Sequence, residues 1–230
     1  MSDTSPGASS STTTTPPETT TAVQPVAVIL PEPADMKPIQ TERLILRPVD
    51  INSDSEARAL FRIRSREDVA RWLYALDPEP DRTIEETKAW MRGRILTTPD
   101  VSGAVHSRHF FFTIGPIMPK TDPEIIGAVG VNSLYDAPSV GIALHPAHWG
   151  KGYGTEAMRG LIGAWWRLAR VEMDGDGDGG QAERLYAMTS NENVPSFKLL
   201  HKVGFRVQAS DEGEGGNVVL MSMVREWFKE

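Results

Sequence analysis

The chain of 230 residues contains no cysteine. This absence excludes disulfide bonds, cysteine-ligated zinc, iron–sulfur clusters and a cysteinyl acyl-enzyme intermediate. The sequence also lacks a G-x-S-x-G nucleophile elbow and an H-E-x-x-H metal-binding pair. If the protein is an enzyme, we therefore expect it to work without a covalent intermediate and without a tightly bound metal.

Long apolar runs and positive charge are also scarce. No stretch approaches the roughly 20 apolar residues of a membrane-spanning helix, so we expect no membrane partner. The formal net charge is −7, whereas nucleic-acid backbones attract clustered positive charge, so we expect no nucleic-acid partner. The N-terminus resembles neither a signal peptide nor a mitochondrial transit peptide. We therefore expect a cytoplasmic protein, with or without entry into the nucleus.

The first 36 residues differ in composition from the rest of the chain. Of residues 1–25, 17 are Ser, Thr or Pro. Such a segment buries too little apolar surface to offset its conformational entropy. We predict a disordered tail over residues 1–36 and one folded domain over residues 37–230. The apolar run 26–30, which is flanked by prolines, is at most a short edge segment.

The remaining sequence switches between helical and strand-like hydrophobic periodicity. The predicted helices span 54–64, 83–96, 153–169 and 195–203, and the predicted strands span 44–47, 109–115, 124–131, 139–144, 185–189, 205–208 and 218–224. Thr83 and Glu86 form a capping box at the start of the second helix. The short interval 135–138 indicates an antiparallel meander. This order predicts a mixed α/β (α+β) fold with a mostly antiparallel central sheet and flanking helices.

The most distinctive segment is W-G-K-G-Y-G-T-E-A, which begins at Trp149 and lies between a strand and an amphipathic helix. Its three glycines let backbone amides approach a ligand, and the helix N-terminus adds unpaired donors and partial positive charge. The spacing fits neither a P-loop nor a dinucleotide-binding fingerprint. A glycine-rich turn that only packs the helix onto the strand would show the same pattern, so the local spacing leaves both interpretations open.

Three segments together resemble the GNAT superfamily of N-acetyltransferases, in its RimJ/RimL-type branch. Residues 145–157 are similar to the acetyl-CoA signature of that branch, residues 191–205 resemble its N-x-x-S-x-x-[LV]-x-x-K-x-G-F block, and residues 41–48 resemble its opening strand. The segments occur in the order of the family. The resemblance implies a GNAT-like acyl-CoA N-acyltransferase fold and transfer of an acetyl group from acetyl-CoA directly to an amine.

The resemblance also implies which residues bind acetyl-CoA. Backbone groups that contact the pantetheine arm and polarise the thioester would come from Ile142, Ala143 and Leu144. Backbone amides that hold the pyrophosphate would come from Trp149, Gly150, Lys151, Gly152, Tyr153, Gly154 and Thr155. Asn193 would bind the pantetheine arm or nearby backbone, and Ser196 would place a hydroxyl near the departing sulfur. Asn193 suits the N-cap of the following helix equally well.

Two expected catalytic groups are missing. Many relatives carry a Glu at the start of the fourth strand, where this chain has Ser139, and the tyrosine acid common elsewhere in the superfamily falls at Leu200. His145 is the candidate base on the same strand, although a surface histidine at a strand end fits as well. Glu156 suits a capping or dipole-compensating carboxylate. The absence of the usual base favours an α-amine or another weakly basic amine as the acceptor over a lysine, whose pKa is about 10.4.

These departures keep other functions open. A non-catalytic acyl-CoA-binding or regulatory module would also lack the base and the tyrosine. A nucleotide-binding domain of another fold would bind ATP or NAD instead. For the enzyme, the acceptor amine is a small molecule or a protein N-terminus, and the sequence fits a monomer or a homodimer.

Overall fold

The computed structural model describes residues 26–73, 79–100, 102–117, 124–133, 138–172, 182–211 and 218–228. The strands are β1 (Val26–Ile29), β2 (Ile39–Gln40), β3 (Leu44–Pro48), β4 (Leu96–Pro99), β5 (Val105–Arg108), β6 (Phe111–Pro116), β7 (Gly127–Ser133), β8 (Ser139–Leu144), β9 (Ala169–Glu172), β10 (Arg184–Ser190), β11 (Arg206–Asp211) and β12 (Val218–Val224). The helices are α1 (Asp54–Arg64), α2 (Glu67–Ala70), α3 (Ile84–Arg92), α4 (Tyr153–Trp166) and α5 (Val194–Lys202).

The largest sheet has eight strands in the order β11-β12-β10-β8-β7-β6-β3-β2. Its neighbours are antiparallel except β8 and β10, which run parallel. Strands β6, β7 and β8 form the predicted meander. The predicted fold class, a mixed α/β fold with a mostly antiparallel sheet and flanking helices, is therefore confirmed.

The helices cover both faces of this sheet. Because side chains alternate along a strand, Phe112 and Val129 join the large core beneath α4 and α5, whereas their neighbours Phe111 and Ala128 join a smaller cluster with residues of α1 and α3. Helix α4 packs against β2, β3, β7 and β8, and α5 packs against β10. The sheet is thereby held between two layers of helices.

The predicted second helix begins correctly and ends early. Thr83 is the N-cap of α3, and its hydroxyl accepts a hydrogen bond from the amide of Glu86 at 3.2 Å. The helix stops at Arg92, so the prediction that it continues to residue 96 is wrong. Gly93 is the C-cap, and the side chain of Ile95, which lies just beyond it, is 45% exposed. The next residues instead form β4, which pairs with β5.

The N-terminal boundary of the fold also differs from the prediction. Strand β1 pairs antiparallel with β9, which follows the end of α4. Val28, Leu30 and Met36 are buried, so residues 26–36 belong to the folded part and their assignment to a disordered tail is wrong. The apolar run gains a partner from far along the chain, which local composition does not reveal. The rest of the predicted tail, residues 1–25, lies outside the described residues.

Candidate active site

Strands β8 and β10 diverge and leave a gap in the middle of the sheet. Across the described residues they pair at one position, Tyr186 with Ser139, where the amide of Tyr186 donates to the carbonyl of Pro138 at 2.8 Å. Beyond this point the residues of β8 from Gly141 to Leu144 are only half-buried. One edge of β8 is therefore open to a ligand along most of its length.

The backbone of β8 alternates between the gap and its neighbour β7. The amide of His145 donates to Ile126 of the β7 side at 2.9 Å. Because hydrogen-bonded pairs alternate along an antiparallel ladder, Ala143 pairs with Ala128 through its backbone. The backbone polar groups of Ile142 and Leu144 consequently face the gap. Of the three residues predicted to contact the pantetheine arm, these two present their backbone to it, and Ala143 faces β7.

A tight turn connects β8 to α4. Residues 146–148 form one turn of 3₁₀ helix, and the amide of Trp149 donates to the carbonyl of Pro146 at 3.0 Å. The indole of Trp149 donates to the carbonyl of Leu144 at 2.8 Å. Both donors of Trp149 are therefore used within the protein. The amides that can meet a ligand begin at the next residue, Gly150.

The predicted loop residues 150–155 carry an open helix N-terminus. Gly150 and Gly152 have φ angles of 71° and 81°, a left-handed conformation that favours glycine. Gly152 is the N-cap of α4, and within the described chain no side chain caps it. The first helical hydrogen bond runs from the amide of Glu156 to the carbonyl of Gly152 at 3.1 Å. The preceding amides of α4 are thus the unpaired donors of a helix start, and they suit a phosphate group.

Gly154 has a different role from the other two glycines. It is buried, and a Cβ atom there would lie 2.7 Å from Cδ1 of Leu199. This glycine lets α4 approach α5 closely. Two of the three glycines therefore shape the loop through their positive φ angles, and the third allows close helix packing.

Glu156 links the start of α4 to the turn between β2 and β3. Its carboxylate accepts hydrogen bonds from the hydroxyl of Thr41 at 2.6 Å and from the backbone amide and Nε of Arg43 at 2.7 Å each. Burial alone would raise the pKa of Glu156, but the hydrogen bonds from Thr41 and Arg43 outweigh burial, so the pKa is lowered. The resemblance of residues 41–48 to the opening strand of the family gave Arg43 no role. The contact between Arg43 and Glu156 joins two of the segments that resemble the family, which is the one sequence signal that could have suggested it.

The second predicted block starts α5. Asn193 is the N-cap, and its side-chain oxygen accepts a hydrogen bond from the amide of Ser196 at 3.2 Å. Both side chains are half-buried. The structure thus gives Asn193 the capping role, while its amide nitrogen stays available for a second contact. Helix α5 follows β10 and packs against it, so Ser196 lies on the β10 side of the gap, opposite β8.

The candidate base lies at the end of β8. His145 is half-buried, and its Nδ1 is 3.3 Å from the amide of Ala147, from which it accepts. The neighbouring His148 is 3.8 Å from a carboxylate oxygen of Glu124. Burial lowers the pKa of His148, with Glu124 opposing the shift. The ring of His145 therefore acts as a cap of the 3₁₀ turn and has Nε2 as its remaining polar atom.

An uncharged polar group lies over the middle of β8. A Cβ atom at Gly141 would be 2.3 Å from Nδ2 of Asn132. Any side chain larger than that of glycine would therefore clash with the Asn132 side-chain amide. The Oδ1 atom of Asn132 accepts a hydrogen bond from Nη1 of Arg94 at 3.1 Å. Sequence reasoning assigned these residues no role. Their side chains lie on the face of the sheet that α1 and α3 cover.

The described parts of the chain show no group of three His, Cys, Asp or Glu side chains that could hold a metal ion. Within the same parts, no helix has the length and apolar character needed to cross a membrane.

In the described part of the chain, the site is thus an uncapped helix start beside a gap between two parallel strands. Residues 43–206 match the acetyltransferase (GNAT) domain family. The chain therefore belongs to the GNAT acetyltransferase family.

Known relatives agree with this assignment. The chain is 26% identical over 174 residues to the uncharacterized N-acetyltransferase p20 of Bacillus licheniformis, with 74% of this chain and 83% of the relative covered. Its fold is similar to a GNAT-family acetyltransferase from Bacillus anthracis, with a TM-score of 0.58, 17% identity, and coverage of 83% and 99%. It is also similar to RimL, the ribosomal L7/L12 alpha-N-protein acetyltransferase in complex with coenzyme A, with a TM-score of 0.58, 15% identity, and coverage of 82% and 98%.

Proposed function

We propose that the protein transfers an acetyl group from acetyl-CoA to a weakly basic amine, foremost the α-amine of a protein N-terminus, as a member of the RimJ/RimL-like branch. A small-molecule amine of similar pKa is the second acceptor class. The observation that carries the proposal is the uncapped start of α4 beside the open edge of β8. The α-amine activity named for RimL supports the same acceptor class.

The residues present fit acetyl-CoA. In this proposal the amides of residues 150–155 hold the pyrophosphate, and the backbone of Ile142 and Leu144 meets the pantetheine arm as an added strand would. The glycines at 150 and 152 suit this role because both residues have positive φ, and the space beside Gly150 is free of other atoms of the described residues within 4 Å. Asn193 can reach the arm only through its amide nitrogen, because its oxygen caps α5.

The chemistry demands little of the protein beyond alignment and charge stabilisation. Attack of the amine on the thioester forms a C–N bond, breaks the C–S bond and builds negative charge on the carbonyl oxygen. A backbone N–H of β8 facing the gap stabilises that charge. A thiol with a pKa of about 8.5 leaves readily as thiolate, so the hydroxyl of Ser196 only assists it. The amine proton passes to His145 or directly to water.

The missing acidic base supports an α-amine over a lysine. An α-amine has a pKa of about 7.7–8.0, so a substantial fraction is already deprotonated at neutral pH, whereas a lysine needs a base. Because Ser139 stands in the place of the usual Glu and cannot accept the amine proton, the acceptor must already be present in its neutral form. We further propose that residues 26–230 act as one catalytic domain in the cytoplasm, as a monomer or a homodimer, with no metal.

Release of coenzyme A thiol tests the proposal directly. Because the chain has no cysteine, a thiol-specific chromophore reports only the coenzyme and has no protein background. The acceptors are a peptide with a free N-terminus and acetylated lysines, the same peptide with a blocked N-terminus and free lysines, and spermidine. We expect release with the first peptide only. Micromolar binding of acetyl-CoA without release on any amine would instead identify an acyl-CoA-binding module, and absence of binding would exclude both.

A further inference from the structure

We propose that Arg43 is a positioning residue for the phosphate-binding loop. Its guanidinium, anchored on Glu156, holds the peptide between Lys151 and Gly152 in the one orientation in which the loop amides face the pyrophosphate. This inference rests on the proposed use of acetyl-CoA, because it concerns how the same loop recognises that molecule.

Arg43 contacts both ends of the loop at once. Its Nη1 donates to the carbonyl of Lys151 at 3.1 Å, and its Nε and Nη2 lie 2.7 Å from the carboxylate oxygen Oε2 of Glu156. The guanidinium also lies 4.8 Å from the ring centroid of Tyr153. One side chain thereby connects the turn before α4 with the first turn of the helix.

The bond to Lys151 fixes the direction of an amide. In a trans peptide the C=O and N–H groups point in opposite directions. Because the carbonyl of Lys151 points to Arg43, the N–H of Gly152 points away from Arg43. Turning this peptide over changes ψ of Lys151 and φ of Gly152, and glycine populates positive and negative φ almost equally, so the loop alone does not prevent the change. The hydrogen bond from Arg43 to the carbonyl of Lys151 selects one of the two peptide orientations.

The pairing with Glu156 argues for positioning over direct phosphate binding. The carboxylate faces Nε and Nη2 and neutralises most of the charge that a phosphate would need. Glu156 is itself held by the hydroxyl of Thr41 and the amide of Arg43. The side chain of Glu156 is 14% exposed and that of Arg43 46%, so the carboxylate is the fixed anchor and the guanidinium reaches from it to the loop.

The test compares two acetyl donors and two ligand titrations. Acetyl-CoA carries the pyrophosphate, whereas acetyl-pantetheine has the same thioester arm without it. The variants are Arg43→Ala and Arg43→Lys, which keeps the charge and loses the planar fork. The matched control is Arg66→Ala, because Arg66 forms an exposed pair with Asp68 at 2.9 Å away from the loop. Each protein is also titrated with coenzyme A in a calorimeter.

We expect both Arg43 variants to weaken coenzyme A binding by about tenfold or more, since each loses one charge-assisted bond that orients the loop. Their kcat/KM with acetyl-pantetheine should stay within about twofold of the wild type, and Arg66→Ala should match the wild type with both donors. Unchanged affinity for coenzyme A, or equal losses with both donors, would overturn the proposal. If the wild type binds coenzyme A but transfers from neither donor, the catalytic function fails while the titration still decides the role of Arg43. If it does not bind coenzyme A, both fail.

Discussion

Helices α4 and α5 each follow one of the two diverging strands, and they contact each other, yet their first turns are built differently. Helix α5 closes its own N-terminus, because Asn193 accepts the amide of Ser196 and Pro195 lacks one amide donor. Among the described residues, no side chain does this for α4, whose N-cap is Gly152. The two helices thus differ in how many backbone donors their own side chains leave unused, and only α4 offers an open set to a ligand.

The largest effect should come from placing a carboxylate at the open end. In Gly152→Glu, the new side chain starts 3.3 Å from Nη2 of Arg43. It would displace that guanidinium from the loop and add negative charge beside the open helix start, so we expect acetyl-CoA affinity to fall by at least about a hundredfold. Gly152→Ala separates charge from backbone strain, which costs about 1–2 kcal/mol in a left-handed conformation. Calorimetric titration measures both. Equal affinities for the two variants would show that strain, and not the anion site, explains the loss.

Removing the cap of α5 should affect stability more than cofactor affinity. Asn193→Ala leaves the amide of Ser196 without its acceptor and should lower the free energy of unfolding by about 1 kcal/mol. Asn193→Asp restores the cap, so chemical denaturation should return it close to the wild type. Thr83→Ala removes the cap of α3 far from the gap and serves as the control. A loss of acetyl-CoA affinity in Asn193→Asp that is absent in Thr83→Ala would assign Asn193 a ligand contact as well.

The acid in the first turn of α4 gives a pH signature that α5 lacks. Because the pKa of Glu156 is lowered in the folded protein, its contribution to stability is complete above its ordinary pKa and is lost as the pH falls through the lowered value. We expect Glu156→Gln to be less stable than the wild type from pH 7 to pH 5, with the difference shrinking below about pH 4.5. Thermal unfolding across this range measures it, and a difference that grows in acid would contradict the assignment.

The smallest effect should come from His145, whose Nδ1 already caps the 3₁₀ turn before the loop. We expect His145→Ala to change kcat/KM little, and the pH profile of both proteins to rise near pH 8, where an α-amine loses its proton. A profile that rises near pH 6–7 in the wild type and flattens in the variant would make His145 the base. The acetyl-CoA affinity of His145→Ala is the control: if it is unchanged, a change in kcat/KM reflects loss of the base and not loss of cofactor binding.

Segments with local signals were predictable from the sequence, and segments paired over long distances were not. The meander, α1 and the starts of α3 and α5 follow from periodicity and caps such as Thr83 and Asn193. Strand β1 was predicted to be at most an edge segment in a disordered tail, because its partner β9 lies about 140 residues away in the chain. The β4–β5 hairpin was missed because Thr97 and Ser107 face solvent on short, polar strands, which lack a clear apolar alternation.

The same distinction holds in the site. The loop and the block at Asn193 carry recognisable spacing, so their residues could be named from the sequence. The contact between Arg43 and Lys151 joins positions 108 residues apart, and the overlap of Asn132 with Gly141 depends on the register of β7 against β8. Neither leaves a local pattern. Contacts that depend on strand register or on long side chains joining distant segments therefore cannot be predicted from local sequence patterns.

The divergence of β8 from β10 has a consequence for how the protein unfolds. The strands on one side of the gap end with β8, and those on the other side begin with β10. Within the described residues these two groups share one backbone pair, so hydrogen bonding alone would let them unfold separately. The core beneath α4 and α5 contains Leu46 and Val129 from one ladder and Leu185 and Met221 from the other. Cooperativity between the halves is therefore carried by apolar contacts. In hydrogen-exchange terms, the central amides of both ladders should become exposed together, in a single global opening.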